Sequence, residues 1–252
     1  MGADRKRSAE SGKFPGISFL NLVYQIVSGV SLAPEMLYQS PMNIRLHRGD
    51  LPADLTFGPV VAVDTETMGL NPHRDRLCLV QLSGGDGNGE LVQIPQTAPG
   101  AAPGAPHHAP NLKRLLEDPQ VLKIFHFARF DIAALKQGLG IDCRPVYCTK
   151  IASRLVRTFT DRHGLKDLCK DLLGIELSKQ QQSSDWGAQE LTPEQLRYAA
   201  SDVLYMHALQ AKLDAVLVRE GRDKLARACF AFLPTRAALD LGGWDEPDIF
   251  AH

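Results

Sequence analysis

The stretch Val61–Leu70, VAVDTETMGL, decides the reading of this chain. A short apolar run ends in Asp64, Thr65 and Glu66, then closes on Gly69 and Leu70. The run reads as a buried strand. Strand side chains alternate, so Asp64 and Glu66 share one face. Two like charges that close repel each other, and partial burial strengthens the repulsion. A divalent metal is one group that would compensate them, and its other ligands can be sought along the chain.

Working outward, FGPVVAVDTE is the first strand and LCLVQLS (77–83) the second. GGDGNG is a turn-rich link, and ELVQIP (90–95) is a third strand, which makes an opening meander. The Pro/Ala/Gly-rich stretch 96–110 reads as a loop. It holds His107 and His108, an adjacent pair more easily explained by chance than by metal binding. NLKRLLED is a short helix capped by Asn111. VLKIFH (121–126) is a fourth strand, and ARFDIAALKQGLG is a helix ending at a glycine stop. PVYCT is a short fifth strand. Helices follow over 150–158, 163–173, 193–219 and 223–232. Strands alternating with helices after a meander predict an α/β domain: a mixed five-stranded sheet with helices on both sides.

The chain has 252 residues, 44% of them hydrophobic and 23% charged, enough for a real core. Its net charge of −1 argues against a binder of long nucleic acid, which must neutralise many phosphates. One local exception lies between Thr149 and Lys166, where five basic residues face the single acid Asp161. A solvated helix face explains it more simply than a phosphate-facing patch. The five cysteines form no CxxC pair and no zinc spacing, so reduced thiols in a cytoplasmic protein are expected. Residues 1–41 have basic residues before an apolar run, like a signal peptide or short anchor. Polar residues dilute that run and it is too short to span comfortably. A poorly structured extension is expected over 1–41, with the functional domain over 42–252 and no membrane partner.

Two further sites complete the opening pair. HFARFDIAAL puts Asp131 in the first turns of a helix just after a strand. LRYAASDVLYM puts Tyr198 and Asp202 four residues apart on one helix, so they share a face. Each has a bland explanation: a turn former, a favourable helix-dipole contact, a surface hydrogen bond. Together, in the order DxE, D, YxxxD, they form a pattern with a chemistry. Two hard divalent cations roughly 3.5–4 Å apart can clamp the attacking and leaving oxygens of a phosphodiester. Such ions take oxygen ligands, chiefly carboxylates and water. Asp64 can bridge both metals, Glu66 and Asp202 complete the site that activates water, and Asp131 supports the second metal directly or through water. Tyr198, whose ordinary pKa near 10 makes it a poor base, is suited to orienting the attacking water.

In these motifs the sequence resembles the DEDDy 3′–5′ exonucleases of the ribonuclease D group, which have a ribonuclease H-like fold. VDTETMGL, HFARFD and YAASD match the three exonuclease motifs, and the likeness continues through residues 164–209 and covers the chain from about Met42 onward. HRDRLCLVQLS, CTKIASRLVRTFTDRHGLK, SKQQQSSDW and the tail 232–252 are similar to the nanoRNase C branch of that family. Phe127, where an Asn is usual, and Cys148, where an Asp is usual, depart from the general ribonuclease D pattern and fit that branch. The resemblance implies metal-dependent hydrolysis of diribonucleotides and very short RNA to nucleoside 5′-monophosphates, with Mg²⁺ or Mn²⁺ as two cofactor ions. The alternative is a general ribonuclease D-like enzyme acting on longer RNA or single-stranded DNA. It also implies a homo-oligomeric ring, an octamer, and the apolar Trp244, Ile249 and Phe250 near the chain end suit burial against something. Only fifty residues follow Asp202, too few for the helical accessory domains of fuller ribonuclease D enzymes.

Candidate substrate contacts follow. Leu70 is either a wedge between two bases or a core leucine. Met68, Phe127 and Phe130 are candidate apolar walls beside the bases, or core. His126 either touches the sugar or scissile region or is a buried structural histidine. In the polar segment SKQQQSSDW, Lys179, Gln182, Ser183 and Trp186 are candidates for holding a 5′ phosphate, a cap that would exclude longer RNA.

Overall fold

The computed structural model describes residues 42–96, 106–178, 180–246 and 249–250. The expected extension over 1–41, and Lys179, lie outside the described residues. Six strands form one mixed sheet: β1 (Asn43–Arg48), β2 (Val60–Thr67), β3 (Leu77–Ser83), β4 (Asn88–Gln93), β5 (Leu122–Phe125) and β6 (Val146–Cys148), in the order β1-β4-β3-β2-β5-β6. The sequence predicts five. The sixth, β1, pairs parallel with β4 at the sheet edge. Its basic residues hide it from an apolar-pattern search. Arg45 and His47 both contact the carboxylate of Glu90, which is buried on β4. That pairing lets a charged segment close the edge.

The helices are α1 (Pro110–Glu117), α2 (Ala128–Leu139), α3 (Thr149–Val156), α4 (Leu165–Leu168) running into a π-helical turn (Cys169–Leu173), α5 (Pro193–Leu204), α6 (Met206–Arg219) and α7 (Asp223–Leu241). Three differ from expectation. The start of α1 is not capped by Asn111. The Asp50 carboxylate accepts from the backbone N–H of Asn111 and of Leu112, both at 2.9 Å. This cap comes from sixty residues away. The single helix expected over 193–219 breaks at Tyr205 into α5 and α6. And α7 does not stop before Pro234 but runs on to Leu241. Its last turns are held by Asp240, paired with Arg129 of α2 at 2.5 and 2.7 Å. Tertiary packing here outweighs the hydrogen bond that a proline removes.

The sheet has apolar layers on both faces. The larger joins Val61, Val63, Ile124, Phe125 and the buried sides of α1, α2, α3, α6 and α7. The smaller joins Leu79 and Leu91 of the sheet to Ala199 and Ala200 of α5, with Trp186 beside them. A Cβ on Gly89 would come within 3.0 Å of the Ala200 Cβ, so glycine lets α5 lie directly on β4. The basic stretch 149–166 is partly neutralised by acids further on: Arg157 pairs with Asp171 at 2.5 Å and Arg162 with Asp167 at 3.0 Å. All five cysteines are free thiols. Among the described residues no helix is long and apolar enough to cross a membrane.

Candidate active site

β2 is a strand because its valines and threonines suit a pleated, buried surface. It pairs antiparallel with β3 and parallel with β5 at the centre of the sheet. The β2–β3 register slips between Glu66 and Thr67, so the chain leaves the sheet just past the second acid. Opposite, α5 begins at a capping box: Thr192 Oγ1 accepts from Gln195 N–H at 3.2 Å, and Gln195 Oε1 accepts from Thr192 N–H at 2.9 Å. Pro193 occupies the first turn. This fixed start sets the rotation of α5. Oxygens of Asp64, Glu66 and Asp202 then lie within 4.8 Å of one another.

Asp131 joins from the other side. Phe127 ends the approach from β5 with a φ of 69°, a left-handed conformation rare for a bulky residue. The sharp turn puts Asp131 in the first turn of α2, buried. Thr65, between the two acids of β2, points to the opposite face from them. Its hydroxyl donates to Asp131 Oδ1 at 2.7 Å. Tyr198 donates its hydroxyl hydrogen bond to Asp202, and its ring lies 6.0 Å from that of Trp186.

Four acids in so small a volume resist ionisation. Burial, foremost, pushes Asp64, Glu66, Asp131 and Asp202 above the usual carboxylate range. Repulsion from Asp64 adds to this at the other three. The Thr65 hydrogen bond at Asp131 and the Tyr198 hydrogen bond at Asp202 act the other way. Tyr198 is itself raised, by burial and then by the charge of Asp202, so it stays a phenol at neutral pH. A divalent cation fits this donor set: hard oxygens, close together and short of positive charge.

Just past β5, His126 Nδ1 is 2.8 Å from Thr149 Oγ1, which donates to the Phe125 carbonyl at 3.1 Å. The threonine proton is therefore committed, and His126 donates from Nδ1. Burial, helped by Lys150, pushes His126 down to about 3, so the ring is neutral with Nε2 as acceptor. Lys150 Nζ sits 4.2 Å from the Phe127 ring centroid, and Phe127 is 46% exposed. Phe130 is half-buried. Leu70 is 84% exposed, so it is not a core residue. Met68, also exposed, packs on Gly187, where an added Cβ would meet its Sδ at 2.4 Å. That contact ties the loop after β2 to the segment around Trp186. Gln182 and Ser183 are exposed. Trp186 is 2% exposed within the smaller apolar layer, a position suited to packing rather than to contact with a phosphate.

A sequence profile described as 3′–5′ exonuclease matches residues 50–218. The chain belongs to the 3′–5′ exonuclease family. Within it, the exonuclease domain is of the DEDDy ribonuclease D type. Ribonuclease D of Gluconacetobacter diazotrophicus is 37% identical to it over 164 residues, 65% of this chain and 39% of that protein's length. The chain thus matches well under half of that relative. Brucella melitensis NrnC, solved bound to pGG, is 57% identical with a TM-score of 0.78, covering 84% of this chain and all of that one. The same protein solved with bound Mg²⁺ is 56% identical with a TM-score of 0.76, again covering 84% and 100%.

In this exonuclease domain the four acids and Tyr198 are all legible in the sequence; the hydroxyls that hold Asp131 and His126 in place are not. These are the hydroxyls of Thr65 and Thr149. A hydroxyl on a buried position must find a partner, and that is the one signal that marks them.

Proposed function

We propose that the chain is a metal-dependent 3′–5′ exoribonuclease that hydrolyses diribonucleotides and very short RNA to nucleoside 5′-monophosphates. The observation that carries the hydrolytic reading is the convergence of Asp64, Glu66 and Asp202 within 4.8 Å, with Asp131 and Tyr198 beside them. Asp64, Glu66 and Asp202 would hold one divalent cation, and Asp64 with Asp131 a second, Mg²⁺ or Mn²⁺. When bound, such ions neutralise phosphodiester oxygens and lower the pKa of water. The protein's own groups do the rest. Tyr198, its hydroxyl donating a hydrogen bond to Asp202, keeps a phenolic lone pair with which to orient a water. His126, neutral, offers Nε2 as an acceptor to a sugar hydroxyl. Met68, Phe127 and Phe130 border the bases.

The preference for short substrates is supported by Leu70, exposed where the chain turns away from the acids, and by NrnC, a protein of 57% identity solved with pGG. Leu70 would enter between two bases, and Lys179, Gln182 and Ser183 would hold the 5′ phosphate. Residues 42–252 would form the nuclease domain. Self-assembly into a ring is supported by the exposed Trp244, Ile249 and Phe250.

The test is turnover of 5′-phosphorylated RNAs of two to seven nucleotides in Mg²⁺ and in Mn²⁺. The dinucleotide should be cut fastest, with activity lost in Asp64→Ala and strongly reduced in Tyr198→Phe. Equal rates at every length would favour a general ribonuclease D-like enzyme. Unchanged hydrolysis in either variant would remove the site.

A further inference from the structure

β3 is buried along its whole length, and Gln81 is its fifth residue of seven. Gln81 is 0% exposed, and neither its Nε2 nor its Oε1 has a hydrogen-bond partner. Ser83, the other polar group of β3 on that face, donates to the Asn88 carbonyl at 2.8 Å. A buried polar group left unpaired costs about 1–3 kcal/mol. Leucine or methionine would fill a similar volume without that cost. The strand register says where a partner must come from. Gln81 stands directly opposite Asp64 on β2, with Leu91 on its other side. Opposed residues of an antiparallel pair project from the same face, with Cβ atoms about 4.5–5.5 Å apart. That face is covered by α5 through Ala199 and Ala200, beside Leu79 and Leu91. Those neighbours carry no polar side-chain atom. The same face also carries Gln93 of β4, diagonal to Gln81 and with its Oε1 likewise unpartnered, but the polar group directly opposite Gln81 is the Asp64 carboxylate. An ionised carboxylate only accepts, and an amide nitrogen only donates.

We propose that Gln81 is a positioning residue for Asp64: its unpartnered carboxamide would donate to that carboxylate when the acid turns to receive a divalent cation, and hold it in that orientation. The proposal rests on the reading of Asp64 as a cation ligand. A hydrogen bond of this kind orients a ligand, and its loss typically weakens metal binding about 10- to 100-fold. A Gln kept only for packing would leave cation affinity unchanged when an apolar isostere replaces it, since that exchange removes only unpaired polar atoms.

The experiment is Mn²⁺ titration calorimetry on the full chain, with thermal denaturation of the metal-free protein, for wild type, Gln81→Met and Gln81→Leu. Asp64→Asn is run alongside. The expected result is Mn²⁺ binding about tenfold weaker or more in both Gln81 variants, with metal-free midpoints no lower than wild type. Affinity within twofold of wild type in either folded variant overturns the proposal. Should Asp64→Asn bind Mn²⁺ as tightly as wild type, the reading of Asp64 as a ligand falls instead, and the Gln81 proposal with it.

Discussion

Leu70→Ala separates a folding role from a substrate role by magnitude. Fully burying a leucine side chain contributes about 1.5–3 kcal/mol. Leu70 is 84% exposed, so the covered sixth is worth at most about 0.5 kcal/mol to the free protein. The melting midpoint should move by no more than about 2 °C, given roughly 2–4 °C per kcal/mol for a domain of this size. Insertion between two bases would bury the remaining five-sixths, worth about 1.2–2.5 kcal/mol. The loss of kcat/KM on a 5′-phosphorylated dinucleotide should then be roughly 10- to 70-fold. The assay compares kcat/KM on two- and seven-nucleotide RNAs, with denaturation of the same preparations. A drop in stability above about 1 kcal/mol, with no selective loss on the dinucleotide, would refute the reasoning.

Thr65→Val removes the 2.7 Å hydrogen bond to buried Asp131 while keeping shape. Loss of a hydrogen bond to a charged group is worth about 1.5–3 kcal/mol, so kcat should fall about 10- to 150-fold, with Thr65→Ser restoring most of it. The raised carboxyls of the acidic cluster set a pH dependence. The folded, metal-free protein binds more protons there than the unfolded chain, so this stability is fully present below about pH 4 and is lost as pH rises through the raised values. Depressed histidines such as His126 act in the opposite sense, but only up to about their unfolded pKa of 6.5. Metal-free protein should therefore melt lower at pH 8 than at pH 7, with a smaller slope in Glu66→Gln and in saturating Mg²⁺; a melting temperature that rises over this interval contradicts it. Lys123 is fully buried, and its Nζ donates to the carbonyls of Asp118, Val121 and Arg144 at 2.7, 2.7 and 2.6 Å. Lys123→Met should cost about 3 kcal/mol or more by leaving those carbonyls unpaired, measured by urea denaturation, while kcat of the protein that stays folded is unchanged.

The sequence by itself determined the central strand, its two acids on one face, the acid at the start of α2 and the Tyr–Asp pair on one helix. These are local facts, set by strand alternation and by helical i,i+4 spacing, so they are legible wherever the pattern is. It also carried the mixed α/β class, through the alternation of strands and helices after the meander. Only the tertiary structure decided the rest. The edge strand β1 depends on Glu90, a residue more than forty positions away that draws Arg45 and His47 to it. The cap of α1 belongs to Asp50, and the last turns of α7 to Arg129. Leu70 lies bare and Trp186 buried, although both are apolar residues beside a motif. Their exposure depends on where the chain leaves β2 and where α5 lies on β4. Hydrogen bonds and burial between distant segments leave no periodic trace in the sequence, and that is why the acids could be read along the chain while the groups that hold them could not.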